Sequence, residues 1–189
     1  MTNNLWWYTS RAGGLVGAAL LAASVIAGLA LTTAPRGARP RPSWRLDLHR
    51  YLGGLAVIFV GLHVAGTLFD QYVPFGLTDV LVPLASRWSP VPVALGIVSL
   101  YLLVAVELTS LAKARIPARV WRTTHWLSFP LFGLVELHLL LAGSDRHSPW
   151  LLLSVAAVDA AVAGLLVRRG LVSEARYQRR LATRQDVSA

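Results

Sequence analysis

The chain has 189 residues, 55% of them hydrophobic and 14% charged, with a mean hydropathy of +0.55. A soluble domain of this size carries about a quarter charged residues, so the composition excludes an ordinary water-soluble fold and indicates a multi-pass membrane protein. The formal charge of +9 and pI of about 11.2 do not indicate nucleic acid, because the basic residues sit between apolar runs rather than on an aromatic-interleaved patch.

Five apolar runs of the length that crosses about 30 Å of hydrocarbon as a helix follow one another. They cover residues 12–33, 48–69, 91–111, 123–143 and 150–167. The fold class expected is therefore all-α, an integral membrane bundle of five helices. Residues 1–168 would form the membrane domain and 169–189 a basic cytoplasmic tail. The first run is too long for a secretory signal, and arginines follow it rather than precede it. Pro35, Pro40 and Pro42 end that span, and Pro90 and Pro92 open the third. The chain has no cysteine, so thiolate metal sites and disulfides are excluded.

Orientation follows from the positive-inside bias. The segments before span two (Arg36, Arg39, Arg41, Arg45, Arg50), before span four (Lys113, Arg115, Arg119, Arg122) and after span five hold 15 of the 18 Lys and Arg residues. Only Arg11, Arg87 and Arg146 fall on the other side. The amino terminus is expected outside and the carboxyl terminus in the cytoplasm. Spans two and four then run in the same direction.

Those two spans carry His49 and His63, 14 residues apart, and His125 and His138, 13 apart. At about 1.5 Å per residue each pair is separated by about 20 Å along its helix. Two tiers follow: His49 opposite His125 towards the cytoplasm, and His63 opposite His138 towards the exterior. Singly, each histidine also fits a headgroup contact or a helix–helix hydrogen bond. Together, the matched depth and common direction favour ligation of two b-type haem irons, which take axial ligands from both faces. His147, beside Asp145 and Arg146 in a short outer loop, reads as solvated. Thirteen residues are about 3.6 turns, which rotates His138 away from His125 by more than a third of a circle. The arrangement therefore requires Pro130 to kink or tighten span four.

Other residues fit a porphyrin site or plain helix packing. Gly53, Gly54, Gly61, Gly66 and Gly133 would let a flat ring approach the backbone, or would serve close helix contact. Arg45, Arg50 or Arg122 can pair with the propionates of an inner haem, and Arg87 or Arg146 with those of an outer one; all also serve topology. Trp44, Trp88, Trp121, Trp126 and Trp150 read as interfacial belt residues. Glu107 is expected to pair with Lys113 or an arginine. Glu136 and Asp159 are expected to be protonated and hydrogen-bonded, or else to take up a proton as electrons arrive.

The strings LHRYLGGLAVIFVGLHV and RTTHWLSFPLFGLVELH resemble the two haem-bearing helices of the ferric reductase-like transmembrane domain shared by ferric reductases and NADPH oxidases. The likeness is strongest to small bacterial forms and covers residues 45–150. It implies two b haems, His49 and His125 on the inner and His63 and His138 on the outer. It also implies electron flow from a cytoplasmic flavin through both haems to an external acceptor. The family usually has six spans, and the first is expected to be missing here. Full-length members add flavin and nucleotide domains after the membrane part. Residues 169–189 are too few for a dinucleotide fold, and no glycine-rich phosphate loop is present. A separate flavoprotein, a ferredoxin-like carrier or quinol is thus the expected donor.

The function expected is that of a transmembrane di-haem cytochrome b in the cell membrane, an electron-transfer subunit of an oxidoreductase with no nucleophile or general base of its own. One alternative resembles the haem-binding membrane subunit, fed by quinol or flavin, of a periplasmic methionine-sulfoxide reductase. Another is a haem-free scaffold or transporter using Glu136 and Asp159.

Overall fold

A computed structural model describes residues 4–33 and 43–188, with side chains as far as Ala175 and at Gln178. The elements are α1 (Leu5–Thr33), α2 (Trp44–Phe69), α3 (Leu77–Leu81), α4 (Pro90–Leu111), α5 (Ala118–Trp126), α6 (Ser128–Ala142) and α7 (Pro149–Ser188). No strand occurs among the described residues. Five stretches are long and apolar enough to cross a membrane: Leu5–Thr33, Trp44–Phe69, Pro90–Leu111, Ala118–Ala142 and Pro149–Ala175. All five expected spans are present, and the protein is a multi-pass membrane helical bundle. Arg36, Arg39 and Arg41 and the breaking prolines Pro35, Pro40 and Pro42 lie outside the described residues. Helix α7 runs on from the fifth span into the basic segment as far as Ser188.

Local chemistry sets the boundaries. Pro90 and Pro92 occupy the first turn of α4, where a missing N–H costs nothing because that turn has no intrahelical acceptor. Pro130 has the opposite effect. Its ring and absent N–H disturb the turn that precedes it, and span four divides into α5 and α6 at Leu127. There the Leu127 N–H bonds to the Thr124 carbonyl at 3.0 Å, a tightened i→i−3 turn, before Leu131 N–H resumes on Leu127 at 3.0 Å.

Helices α1 and α2 pack antiparallel at very short range. A Cβ at Gly13 would stand 2.8 Å from the backbone N of His63, and one at Gly66 would stand 2.5 Å from the backbone N of Ser10. Lipid tails are as apolar as leucine, so helices in a bilayer gain little by hiding apolar surface and associate through close van der Waals packing. Apolar residues outside the contacts, among them Ile58 (59% exposed) and Leu153 (71% exposed), accordingly point outward as lipid-facing surface. Two buried clusters hold the rest. Leu21, Ala56, Leu103 and Leu131 join α1, α2, α4 and α6. Ala22, Val25, Leu29, Phe132 and Val162 join α1, α6 and α7.

One end of the bundle is closed by the 70–89 segment, which includes α3, and by residues 143–148. The Gly76 N–H bonds to Asp79 Oδ2 at 2.8 Å to start α3, and the Tyr101 hydroxyl donates to the Leu81 carbonyl to hold its end. Arg11 forms a two-point ion pair with Asp145 (2.8 and 2.6 Å), tying α1 to the α6–α7 connection.

Close packing at Gly66 predicts that Gly66→Val forces α1 and α2 apart and costs about 1–3 kcal/mol of stability. Gly54→Val, where a Cβ meets nothing within 4 Å, should be neutral. Thermal unfolding of the two variants in one detergent checks this.

Candidate metal centre

Helix α2 carries His49 in its second turn and His63 in its sixth, and both face the interior of the bundle. His49 meets His125 of α5 with ring centroids 6.0 Å apart and planes at 86°. His63 meets His138 of α6 with centroids 6.1 Å apart and planes at 76°. The two pairs anticipated from sequence are therefore brought together, each at its own depth. The 13-residue spacing is met by the break at Leu127, where span four divides into α5 and α6 and each helix presents its own histidine.

Three of the four imidazoles have a fixed proton position. His63 Nδ1 lies 2.8 Å from the Ser10 carbonyl, His49 Nδ1 2.9 Å from that of Ser24, and His138 Nδ1 2.8 Å from that of Pro92. A carbonyl only accepts, so each Nδ1 is the protonated nitrogen and donates. Hydroxyl groups agree. Thr67 donates to the His63 carbonyl (2.9 Å), and Ser10 Oγ, at 2.7 Å, donates to Thr67. Ser10 Oγ is then an acceptor towards His63 Nδ1 at 3.2 Å. Ser24 Oγ donates to the His49 carbonyl at 3.3 Å and faces His49 Nδ1 at 3.1 Å. What remains on each ring is Nε2 with a bare lone pair, and no Nε2 of the four has a hydrogen-bond partner among the described residues.

His125 is the exception. Its Nδ1 is buried and unpartnered, as are Ser110 Oγ and Trp121 Nε1. The ring is held from its own helix by stacking on Trp121, with centroids 5.2 Å apart and planes at 23°. Lys113 Nζ sits 3.9 Å above the same indole. Trp121 is thus part of the site, whereas Trp44, Trp88, Trp126 and Trp150 are exposed as belt residues are.

A cavity of about 580 Å³ opens beside the outer tier, within the range of cofactor sites. His63 and His138 line its walls. The buried Leu21, Ala56, Leu103 and Leu131 form its floor. Ala56 and Leu131 lie near the midpoints of the two histidine spacings, so this floor is an apolar layer between the tiers.

The remaining sequence candidates divide. Arg45 stacks on Trp44 at 5.5 Å, Arg50 lies 4.0 Å from Asp47, and Arg122 is exposed. Arg146 lines the outer cavity, bonding the Leu141 carbonyl (3.0 Å) and His147 Nε2 (3.1 Å), while Arg87 and His147 are exposed. Gly53 is filled by the Glu107 carboxyl and Gly66 by α1, so both serve helix packing. Gly54, Gly61 and Gly133 meet nothing within 4 Å. Glu107 packs on Gly53 and forms no ion pair with Lys113 or an arginine among the described residues. Glu136 and Asp159 lie on α6 and α7, within the fourth and fifth spans. The Arg11–Asp145 pair, 134 residues apart in the chain, carried no signal in the sequence.

The chain belongs to the family described as ferric reductase like transmembrane component, whose model matches residues 13–135. The match includes His49, His63 and His125 and stops just before His138. No curated protein and no solved structure matches the chain. Domains of this family generally bind haem and suggest a membrane electron-transfer role. The residues present fit such a group. An imidazole nitrogen stands about 2 Å from a ligated transition metal and its ring centre about 1 Å further back, so two axial imidazoles have centroids about 6 Å apart. No group of three or more His, Cys, Asp or Glu side chains occurs among the described residues, whereas a porphyrin supplies four equatorial nitrogens and asks the protein for two donors.

The Arg11 guanidinium holds the Asp145 carboxyl below its usual range. A depressed carboxylate contributes stability above its unfolded value near pH 4, and that contribution is lost as pH falls through the lower folded value. The wild-type melting temperature should therefore drop on acidification below about pH 4 more steeply than that of Asp145→Asn. Parallel melting curves across that window check the difference.

Proposed function

We propose that this protein is a transmembrane di-haem cytochrome b that relays single electrons from a cytoplasmic-side donor to an extracytoplasmic acceptor. The observation that carries the proposal is the pair of imidazole tiers, with centroids 6.0 and 6.1 Å apart, on helices α2, α5 and α6. His49 and His125 would hold the inner haem, and His63 and His138 the outer one. Each haem, when bound, supplies one-electron iron chemistry.

The chain's own residues do the rest. His49, His63 and His138 would ligate through Nε2, because their Nδ1 atoms are committed as donors. A hydrogen-bonded Nδ1–H raises the basicity of the ligating nitrogen and stiffens the ring. The layer of Leu21, Ala56, Leu103 and Leu131 keeps water and ions from the space between the tiers, so that charge crosses as electrons and not as leaking protons. Arg45, Arg50 and Arg122, at the inner-tier ends of their helices, would pair with propionates of the inner haem, and Arg146 in the outer cavity with those of the outer one.

The charge distribution sets the direction. The ends of the spans rich in Lys and Arg face the cytoplasm of the cell membrane, which puts the amino terminus and the outer tier outside. A separate flavoprotein, a ferredoxin-like carrier or membrane quinol would feed the inner haem, and a soluble acceptor would take electrons from the outer one.

Haem quantitation on single-histidine variants tests the proposal. His63→Ala and His138→Ala should each lose the same outer haem and largely retain the inner one, and His49→Ala and His125→Ala the reverse. Retention of two haems per chain by all four variants would show that the assignment is wrong.

A further inference from the structure

Helix α1 carries none of the four histidines, yet two of them are anchored on it. Ser10 takes the Nδ1–H of His63 and Ser24 that of His49. Four residues beyond each serine stands a glycine. A Cβ at Gly14 would lie 2.9 Å from His63 Nδ1, and one at Gly28 would lie 3.2 Å from His49 Cε1. The helical geometry explains the spacing. The residue four places on donates its N–H to the same carbonyl, so its side chain overhangs that carbonyl's approach. Only a residue without Cβ leaves a path for an imidazole to reach the oxygen.

The unit Ser-x-x-x-Gly therefore occurs twice on α1, at Ser10–Gly14 and Ser24–Gly28, with a period of 14 residues. His49 and His63 are also 14 apart, and α1 and α2 run antiparallel. Equal periods on antiparallel helices bring both units into register with both histidines at once. The third anchored ring uses the same device on α4. His138 Nδ1 bonds the Pro92 carbonyl at 2.8 Å, and a Cβ at Gly96, four residues on, would stand 2.8 Å from His138 Cε1.

The fourth position shows what happens when the device is missing. The histidines of span four are 13 apart, and 13 residues along α4 from Pro92 and Gly96 stand Ala105 and Thr109. The Ala105 carbonyl is taken at 2.8 Å by the Thr109 hydroxyl, and a threonine stands where the glycine would be. His125 Nδ1 and Ser110 Oγ are both left without partners.

We propose that Gly14 and Gly28 on α1, and Gly96 on α4, are positioning residues. Each opens one backbone carbonyl to one imidazole, fixes that ring as the Nδ1–H form, and so presents Nε2 to the metal of a single tier. The role rests on the di-haem proposal above and adds to it a tier-by-tier assignment. Gly14 and Gly96 serve the outer tier and Gly28 the inner one, with His125 held only by stacking.

The test uses the full-length haem-loaded protein, with each haem's electron paramagnetic resonance signal and midpoint potential followed separately in Gly14→Ala, Gly28→Ala and Gly96→Ala. Gly14→Ala and Gly96→Ala should shift the outer signal and loosen that haem about 10-fold or more, and Gly28→Ala should do so to the inner one alone. Gly17→Ala is the packing control. A Cβ there meets Val60 Cγ2 at 3.1 Å and no histidine, so neither signal should move. Ser10→Ala and Ser24→Ala remove only the hydroxyls and give a smaller shift with the same division, which keeps the test open if a glycine variant fails to accumulate. Equal shifts in both tiers from any one variant, or a shift in Gly17→Ala as large as in Gly14→Ala, would overturn the positioning role. A wild-type protein without haem would instead remove the di-haem proposal itself.

Discussion

The site depends on one interaction repeated three times, a protonated Nδ1 donating to a backbone carbonyl of a neighbouring helix. In water an imidazole exchanges tautomers freely. Against the carbonyls of Ser10, Ser24 and Pro92 it cannot, because the alternative form would press a lone pair against a lone pair at 2.8–2.9 Å. A lost hydrogen bond of this kind leaves a polar group unsatisfied at a cost of about 1–3 kcal/mol, which favours one tautomer about 5- to 150-fold. The choice at Nδ1 fixes Nε2 as an acceptor, and the pairing of tiers follows.

That constraint explains features of the bundle that packing alone leaves arbitrary. Helices α1 and α2 must lie close enough for a side chain on one to reach the main chain of the other, and the contacts at Gly13 and Gly66 bring them there. Span four must break between its histidines, and the tightened turn at Leu127 does so next to Pro130. The layer of Leu21, Ala56, Leu103 and Leu131 fills the remaining space between the tiers with groups that have no hydrogen-bonding demand. The Arg11–Asp145 pair lies at the outer-tier end, where it ties the loop closing the cavity to the helix that anchors His63.

Much of this was legible in the sequence, because a bilayer leaves few choices. Apolar runs of spanning length have to be helices, so the five spans followed from composition, and the 14 and 13 residue spacings placed the histidines in two tiers. The need for a disturbed span four was also readable, since Pro130 sits between His125 and His138. The anchoring carbonyls were not readable. Backbone atoms have no letter in a sequence, and the glycines that expose them look like ordinary packing residues. The period shared by Ser10 and Ser24, Gly14 and Gly28, and His49 and His63 was the available signal. It becomes meaningful only once α1 is known to run antiparallel beside α2. Of the two roles open to the glycines of α2, Gly53 and Gly66 take helix packing, accommodating Glu107 and α1.

The central claim is that each tier grips one iron through two imidazoles. Low-temperature electron paramagnetic resonance of the oxidised, detergent-purified protein measures this most directly, with haem per chain determined on the same sample. Two distinct low-spin ferric signals of the bis-imidazole type, at two haems per chain, are the expected result. A preparation that is folded and supplied with haem yet colourless, or one whose iron is wholly high-spin, would contradict it.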